Sequence, residues 1–231
     1  MGLFWERFWE NLPYFLEVLI PAAGMTVRIA AGAFVLAIVV GLVLALLQTL
    51  KVGVITVAVR TYIEVIRGTP VLAQLFILYI GLTEFGIRFT PVQAAILGLG
   101  FNGGAYLAEV FRAGIQSIHV GQMEAALTVG MTPLSAMRWV VLPQALNVVV
   151  PPTTNYSIAL LKDTAIVSAV AAPEIMFRAR NLVMETYLSA QIYLLVALMY
   201  LAMSLILAAI SRRLERRLAI SGSTGARPSA A

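Results

Sequence analysis

The chain has 231 residues, of which 61% are hydrophobic and only 12% are charged, and its mean hydropathy is +0.92. Because a soluble domain carries about 25% charged residues, this composition excludes a soluble enzyme or a nucleic-acid-binding protein and indicates an integral membrane protein. The net charge of +5 then reflects basic residues at the cytoplasmic membrane surface, and, with no cysteine, one histidine and no P-loop motif, we expect no metal, no other cofactor and no nucleotide site on this chain.

The N-terminal segment, residues 1–18, is expected to form a short helix that lies in the membrane interface. Its Glu6 and Glu10 oppose the positive charge that a cleaved signal peptide needs. Its aromatic and apolar residues recur at the i, i+3, i+4 and i+7 positions of one helical stripe, and they are Trp5, Phe8, Trp9 and Leu12. A plain extension of the first membrane span is the alternative interpretation.

Five stretches without acidic or basic residues are candidates for membrane spans, each of which needs about 20 residues. They are Ile29–Leu47, Gly68–Thr83, Phe89–Ala108, Trp139–Leu161 and Thr186–Ser211. The second is short, and we expect it to extend back through Arg60–Arg67. The sequence therefore predicts an all-α integral membrane protein, with five transmembrane helices in a domain over residues 19–213 and a cytoplasmic tail over residues 214–231.

The orientation follows from the basic residues near the C-terminus, because lysine and arginine favour the cytoplasmic side of a membrane. The last span is followed by four arginines, Arg212, Arg213, Arg216 and Arg217. A C-terminus in the cytoplasm and five spans place the N-terminus outside. This arrangement puts most of the 16 lysines and arginines, Lys51 and Arg227 among them, on the cytoplasmic side.

The cytoplasmic loop over residues 112–138 is much longer than most connections between helices, and its sequence indicates regular structure. Helix-packing residues precede Gly130, a natural helix C-cap, and Thr132 followed by Pro133 is typical of the start of a second helix. We therefore expect a helix, a glycine turn and a second helix. The apolar residues of this hairpin need a partner, which is either another protein or the underside of the bundle itself.

The same region resembles the E-A-A-x3-G-x9-I-x-L-P signature of membrane subunits of binding-protein-dependent ABC importers. The matching residues are Glu124, Ala125, Ala126, Gly130, Leu142 and Pro143, with Val140 in place of the isoleucine. In that family the loop is a pair of coupling helices that docks into a groove on the ATPase subunit. The resemblance therefore implies that these six residues couple the bundle to an ATPase.

Four further stretches resemble the polar amino-acid permease branch of that family, which includes histidine, glutamine, arginine and opine permeases. They are Glu64–Pro70, Gly103–Glu109, Arg112–Ile115 and Leu161–Thr164. The resemblance implies a five-span importer subunit in the bacterial inner membrane that works with a second permease copy or paralogue. It also implies two ATP-binding subunits, which hydrolyse ATP, and an extracytoplasmic solute-binding protein that delivers a polar amino acid or a derivative.

Polar residues within the spans are candidates for substrate binding, because they are costly to bury in a membrane. Tyr156, Ala159 and Asp163 lie on one helical face, being spaced i, i+3 and i+7, and Asn102 can reach a similar depth from the preceding span. Asp163 suits the ammonium group of an amino acid, whereas Asn102 and Thr164 suit its carboxylate. The resemblance also implies a pocket on these two spans, with Asn102 and Asp163 at matching positions.

Each of these residues also has a purely structural interpretation. Asp163 can form an ion pair with the neighbouring lysine, and Asn102 can make a hydrogen bond between helices. Glu109 is expected to pair with Arg112 or Arg67 rather than to contact substrate.

Tyr156 departs from the resemblance, because members of the branch often have a glutamate there, after an asparagine. We therefore expect that no carboxylate at this position pairs with a cationic side chain, while a zwitterion, or a cation held by the ring, can still bind. A stand-alone ion-coupled secondary transporter is the alternative function, although such proteins usually contain internal repeats and none is evident here. An intramembrane enzyme and a structural subunit without a pocket are further alternatives.

Overall fold

The computed structural model describes residues 2–49 and 52–222, with side chains for residues 5–49 and 52–217, so Lys51 and Arg227 lie outside the described residues. Within this part the structure is entirely helical. The helices are α1 (Gly2–Thr49), α2 (Gly53–Gly68), α3 (Val71–Tyr79), α4 (Pro91–Gln116), α5 (Val120–Thr128), α6 (Pro133–Ala136), α7 (Leu142–Asp163), α8 (Ile175–Thr186) and α9 (Ser189–Gly222).

Helix α1 runs for 48 residues without a break, so the N-terminal segment is not a separate helix. Phe8, Phe15 and Leu19 are buried in one cluster with residues of α8 and α9. This part of α1 therefore continues the first span, as in the alternative interpretation, with Phe8 of the stripe buried in the bundle and Trp5 and Trp9 exposed. The division of the chain at residue 18 stays a prediction.

Helices α1 and α4 run parallel and pack closely through small residues. Gly32 faces Ile96, and further along both helices Val40 faces Gly104, where an added Cβ would lie 2.7 Å from the Cβ of Val40. Small residues at such positions let two helix backbones approach one another. The pairing also fixes the topology, because two parallel helices require the chain between them to return.

The returning chain is broken rather than straight. Helix α2 and the segment Val71–Phe85 meet at an angle of 103°. Thr69 is extended (φ −115°, ψ 144°) because it precedes Pro70, whose ring disfavours helical backbone before it and whose missing N–H cannot continue the helix. The expectation of one continuous helix from Arg60 to Thr83 was therefore wrong.

The long loop over residues 112–138 forms the expected hairpin. Helix α5 ends two residues before Gly130, whose φ of +88° is left-handed, and the N–H groups of Gly130 and Met131 donate to the carbonyls of Leu127 and Ala126. The Thr132 hydroxyl then accepts a hydrogen bond from the Ser135 N–H at the start of α6. A π-helical segment, Met137–Val141, joins α6 to α7, just before Pro143. The prediction of a helix, a glycine turn and a second helix is confirmed.

Helix α7 runs antiparallel to α4, and α9 runs antiparallel to α7. The first relation follows because Gly114 faces Val149 while Gly103 faces Tyr156. The second follows because Thr154 forms a hydrogen bond with Glu215 near the C-terminal end of α9, whereas Leu161, later in α7, lines one cavity with Ile206, earlier in α9. The hairpin and the C-terminal part of α9 therefore lie at one end of the bundle, opposite the beginning of α1.

By length and composition, three helices of the described chain qualify as membrane spans, and the bent segment makes a fourth. The three are Trp5–Thr49, Pro91–Gln116 and Ser189–Arg217. Helix α7 does not qualify, although it crosses the bundle between α4 and α9, because prolines and polar residues interrupt its apolar sequence. The count of five spans therefore stays a prediction.

Helix α8 and the 3-10 helix Thr164–Val170 were not predicted from the sequence. They are anchored by Glu174, which is completely buried and accepts hydrogen bonds from the N–H groups of Met176 (2.8 Å) and Phe177 (2.7 Å) at the start of α8. The hydroxyl of Tyr200 on α9 donates a third hydrogen bond at 2.8 Å. A buried carboxylate satisfied in this way acts as a helix N-cap.

Candidate functional site

A cavity of about 540 Å³ lies where α4, α7 and the break between α2 and α3 meet. Asn102 and Tyr156, which the sequence predicted to meet at similar depth, both line it, as does Ala159. The other lining residues are Arg67, Thr69, Val71, Tyr106 and Asn155. Arg67 is the only charged residue among them, so the cavity has one cationic group in a polar and aromatic lining.

The orientation of the Asn102 amide is fixed by its neighbour Gln74. The Gln74 Nε2 donates to the carbonyl of Ile66 (2.7 Å) and to the hydroxyl of Thr69 (2.8 Å), which leaves its Oε1 as an acceptor. The Asn102 Nδ2 donates to that oxygen at 3.2 Å. The interhelical hydrogen bond foreseen for Asn102 is therefore present, and in the described part of the chain its Oδ1 has no hydrogen-bond partner.

Two tyrosines form the aromatic wall of the cavity. The rings of Tyr106 on α4 and Tyr156 on α7 are stacked, with centroids 4.9 Å apart and planes inclined by 23°. The Tyr156 hydroxyl lies against Gly103, where a Cβ would not fit. Stacking of this kind presents a ring face to a ligand, a surface that attracts cations as well as apolar groups.

Asp163 and Thr164 do not line this cavity. Asp163 ends α7, two helical turns beyond Tyr156, and both it and Lys162 are exposed. The only salt bridge in the described residues joins Arg112 to Glu109 at 2.6 Å, so the structural interpretation of Asp163 as an ion-paired group does not hold. Thr164 is completely buried and donates to the Leu161 carbonyl, which gives it a structural contact.

The Glu109–Arg112 contact agrees with the prediction that Glu109 has a charged partner rather than a ligand. Both oxygens of the carboxylate accept hydrogen bonds from the guanidinium. This geometry is the planar, bidentate pairing that arginine favours. Glu109 therefore belongs to the internal structure of α4.

The hairpin presents most of the six signature residues at the surface. Glu124, Ala125, Gly130, Leu142 and Pro143 are exposed, whereas Ala126 is buried against the rest of the hairpin. Next to them Val129 is 78% exposed and Leu134 is 79% exposed. Large apolar side chains left uncovered in this way are typical of an interface, so Val129 and Leu134 are not buried on the bundle itself.

Comparison with known proteins identifies the family. Residues 37–220 match the family described as "Binding-protein-dependent transport system inner membrane component". The chain belongs to this family. It is 36% identical to the probable amino-acid permease protein YxeN of Bacillus subtilis (strain 168) over 211 residues, which cover 90% of this chain and 94% of YxeN.

Two further relatives agree with that membership in the binding-protein-dependent transport family. The glutamine transport system permease protein GlnP of Escherichia coli (strain K12) is 33% identical, over 94% of this chain and 98% of GlnP. The crystal structure of an amino acid ABC transporter with histidines contains a chain that is 36% identical, with a TM-score of 0.82 and coverage of 91% of this chain and 97% of that one.

The chain is therefore the permease subunit of an ABC importer, a multi-pass protein of the inner membrane. As a transport component it is not an enzyme, and ATP hydrolysis belongs to a separate subunit. Its family membership implies ATPase subunits and a binding protein as partners. The relatives favour this function over a stand-alone secondary transporter.

Sequence reasoning missed three residues that shape the cavity: Arg67, Gln74 and Tyr106. Arg67 lines the cavity because the chain bends just beyond Gly68. Gln74 does not line the cavity; it holds the Asn102 amide, while its own amide binds groups of Ile66 and Thr69 at the bend. Pro70 was a usable signal for this break. Tyr106 had the weaker signal of lying one helical turn after Asn102 on the same helix.

Proposed function

We propose that the chain translocates a polar amino acid, or an amino-acid derivative, through the cavity between α4 and α7. Two observations support this substrate class. The chain is similar over nearly its whole length to permeases named for amino acids and for glutamine, and the cavity combines one cationic group, the side-chain amides of Asn102 and Asn155, and two aromatic rings.

The substrate-binding residues in this proposal are Asn102, Tyr156, Ala159, Asp163 and Thr164, with roles adjusted to the geometry. Because the Asn102 NH₂ group is bonded to Gln74, its free Oδ1 accepts from the substrate ammonium group. Arg67, as the only cation of the lining, is the group that binds the carboxylate. Asp163, exposed beyond the cavity, attracts the ammonium group as the substrate arrives, and Thr164 supports that helix end from within.

Transport in this proposal is alternating access driven from the hairpin. Closure of two ATP-bound ATPase subunits moves the hairpins of two permease subunits together, and this rigid-body motion opens the bundles to the outside. Glu124, Ala125, Ala126, Gly130, Leu142 and Pro143 carry the coupling. The N-terminus lies outside and the C-terminus in the cytoplasm. The beginning of α1 and the C-terminal part of α9 lie at opposite ends of the bundle, which supports this orientation.

Uptake by the complete transporter tests the substrate class. The permease, its ATPase and its binding protein are reconstituted into liposomes, and uptake of the 20 L-amino acids is measured with and without ATP. We expect ATP-dependent uptake of one or a few polar amino acids. Uptake that persists without ATP but needs a proton gradient, or no amino-acid uptake at all, would contradict the proposal.

A further inference from the structure

A second cavity, of about 680 Å³, lies on the hairpin side of the first one. Its position follows from its lining, because Gln116 at the end of α4 and Met137 after α6 both contribute to it. The remaining residues come mainly from the end of α1 and from one face of α2. We call it the vestibule.

The vestibule is lined by five charged side chains, of which three are arginines. They are Arg60, Glu64, Arg67, Glu109 and Arg112. Glu109 and Arg112 neutralise one another in their bidentate pair. Two guanidinium groups then remain with one carboxylate, so the vestibule has a surplus of one positive charge and offers groups of both signs.

The three charged groups on α2 are arranged along one side of the helix. Arg60, Glu64 and Arg67 are spaced four and three residues apart, which places them on one helical face. None of the three has a salt-bridge partner in the described residues. The buried Nε2 of Gln48, which lines the same cavity, also lacks a hydrogen-bond partner there.

Arg67 connects the two cavities, because it lines both of them. A carboxylate held by Arg67 in the first cavity, between α4 and α7, can therefore pass to the vestibule without losing its cationic partner. Arg60, on the same face of α2 about two turns toward the hairpin, is the next cation in line. The guanidinium groups of Arg67 and Arg60 therefore follow one another along the same face of α2.

We infer that the vestibule is a second binding site for the transported amino acid, on its way out to the cytoplasm. Arg60 and Arg67 bind the α-carboxylate, Glu64 binds the ammonium group, and the Gln48 amide is a further donor to the carboxylate. The inference rests on the proposed function and its orientation. Its consequence is that amino acid accumulating inside the cell occupies the vestibule and slows further uptake.

The test uses the reconstituted transporter loaded with the amino acid that gave the highest uptake in the panel above. With the wild-type protein, increasing luminal concentrations of that amino acid should slow ATP-driven uptake. The α-amide of the amino acid has no carboxylate, so its luminal concentration for half inhibition should be about tenfold higher. Arg60→Gln should raise the luminal concentration for half inhibition about tenfold. Each concentration for half inhibition is measured relative to that protein's own uptake rate without luminal amino acid.

Two further variants separate the charge from the fold. Arg60→Lys keeps the positive charge and should retain most of the inhibition, while Arg88→Gln removes an exposed arginine that lines neither cavity and should behave as wild type. Inhibition of Arg60→Gln at the wild-type concentration, or equal potency of acid and amide, would overturn the inference. Normal uptake that luminal amino acid does not affect would also overturn it, while leaving the proposed function intact.

Discussion

Tyr106 and Tyr156 stack across the interface of α4 and α7, with ring centroids 4.9 Å apart. The contact joins the two helices that flank the cavity, one leading into the hairpin and the other leading out of it. We therefore expect a movement of the hairpin to be passed to the aromatic wall of the cavity through these two helices. This relationship gives the proposed coupling a short physical path.

The ring of Tyr156, rather than its hydroxyl, should matter for transport. The hydroxyl has no hydrogen bond in the described part of the protein, and aromatic stacking contributes about 0.5–1.5 kcal/mol. We expect Tyr156→Phe to keep uptake within about twofold of wild type and Tyr156→Ala to lower it by roughly two- to tenfold, measured at saturating loaded binding protein.

The same variants report on substrate charge. Competition of arginine against neutral amino acids should show no arginine preference if the cavity takes a zwitterion. A strong arginine preference that Tyr156→Ala abolishes would contradict neutral specificity, and equal losses in both variants would show that the hydroxyl is needed.

Gly130 should be required for coupling for two reasons, which are its left-handed backbone conformation and the lack of charge at this position. Its φ of +88° suits glycine and is tolerated by asparagine and aspartate, and an added Cβ would meet no atom within 4 Å. We expect Gly130→Asn to keep most transport-coupled ATP hydrolysis and Gly130→Asp, which differs only in charge, to abolish it. Membrane insertion is the control and should be normal in both. Full activity of Gly130→Asp would argue against the hairpin as the coupling element.

Close packing of α1 on α4 should make Gly104 sensitive to the smallest enlargement. In Gly104→Ala the new Cβ would lie 2.7 Å from the Cβ of Val40, so we expect a loss of about 1–3 kcal/mol, the usual effect of overpacking. Thermal unfolding in detergent measures it. Gly24→Ala is the matched control, because nothing lies within 4 Å of that position, and the double variant Gly104→Ala with Val40→Gly, which removes the clashing Cβ and Cγ1, should recover part of the loss. A neutral Gly104→Ala would contradict this packing.

Glu174 should make stability depend on pH. Burial raises the pKa of this carboxyl above its usual value, although hydrogen bonds from Met176, Tyr200 and Phe177 act in the opposite direction. A raised pKa means that the folded protein binds the proton more tightly than the unfolded chain does. Its stabilising effect is therefore complete below the usual carboxyl pKa and is lost as the pH rises through the raised value.

Thermal unfolding across that pH range checks the direction. The melting temperature of the wild-type protein should fall as the pH rises through the window, and Glu174→Gln, which cannot ionise, should lack that component. Glu185→Gln is the comparison, because Glu185 is an exposed carboxylate on α8, the helix that Glu174 caps. If Glu174→Gln showed the same pH dependence as wild type, the carboxyl would not be the titrating group.

Local sequence signals predicted several parts of the structure well. Gly130, Thr132 and Pro133 act within a few residues, so the hairpin could be predicted from them. Helical periodicity similarly brought Asn102 and Tyr156 to one cavity, and the three-residue spacing of Glu109 and Arg112 indicated their ion pair.

Other features depend on tertiary contacts that hydropathy does not report. The aromatic stripe of Phe8 continues α1 because α8 and α9 cover it, and those helices are distant in sequence. The buried carboxylate of Glu174 resembles a surface acid until Tyr200 is placed beside it. Arg67 lines the cavity only because the chain turns by 103°, and the size of a turn cannot be read from Pro70 alone.

Cross-linking from the hairpin tests the central claim, that this element couples the permease to an ATPase subunit. The chain has no cysteine, so Val129→Cys, which is on the hairpin, and Phe85→Cys, which is 80% exposed at the other end of the bundle, each introduce a single thiol. In the assembled transporter, a thiol-directed photocross-linker on residue 129 should capture the ATPase subunit, and one on residue 85 should not. Capture of the ATPase subunit from residue 85 would contradict the account. A cross-linker on residue 129 that reaches only this permease, and no ATPase subunit, would contradict it as well.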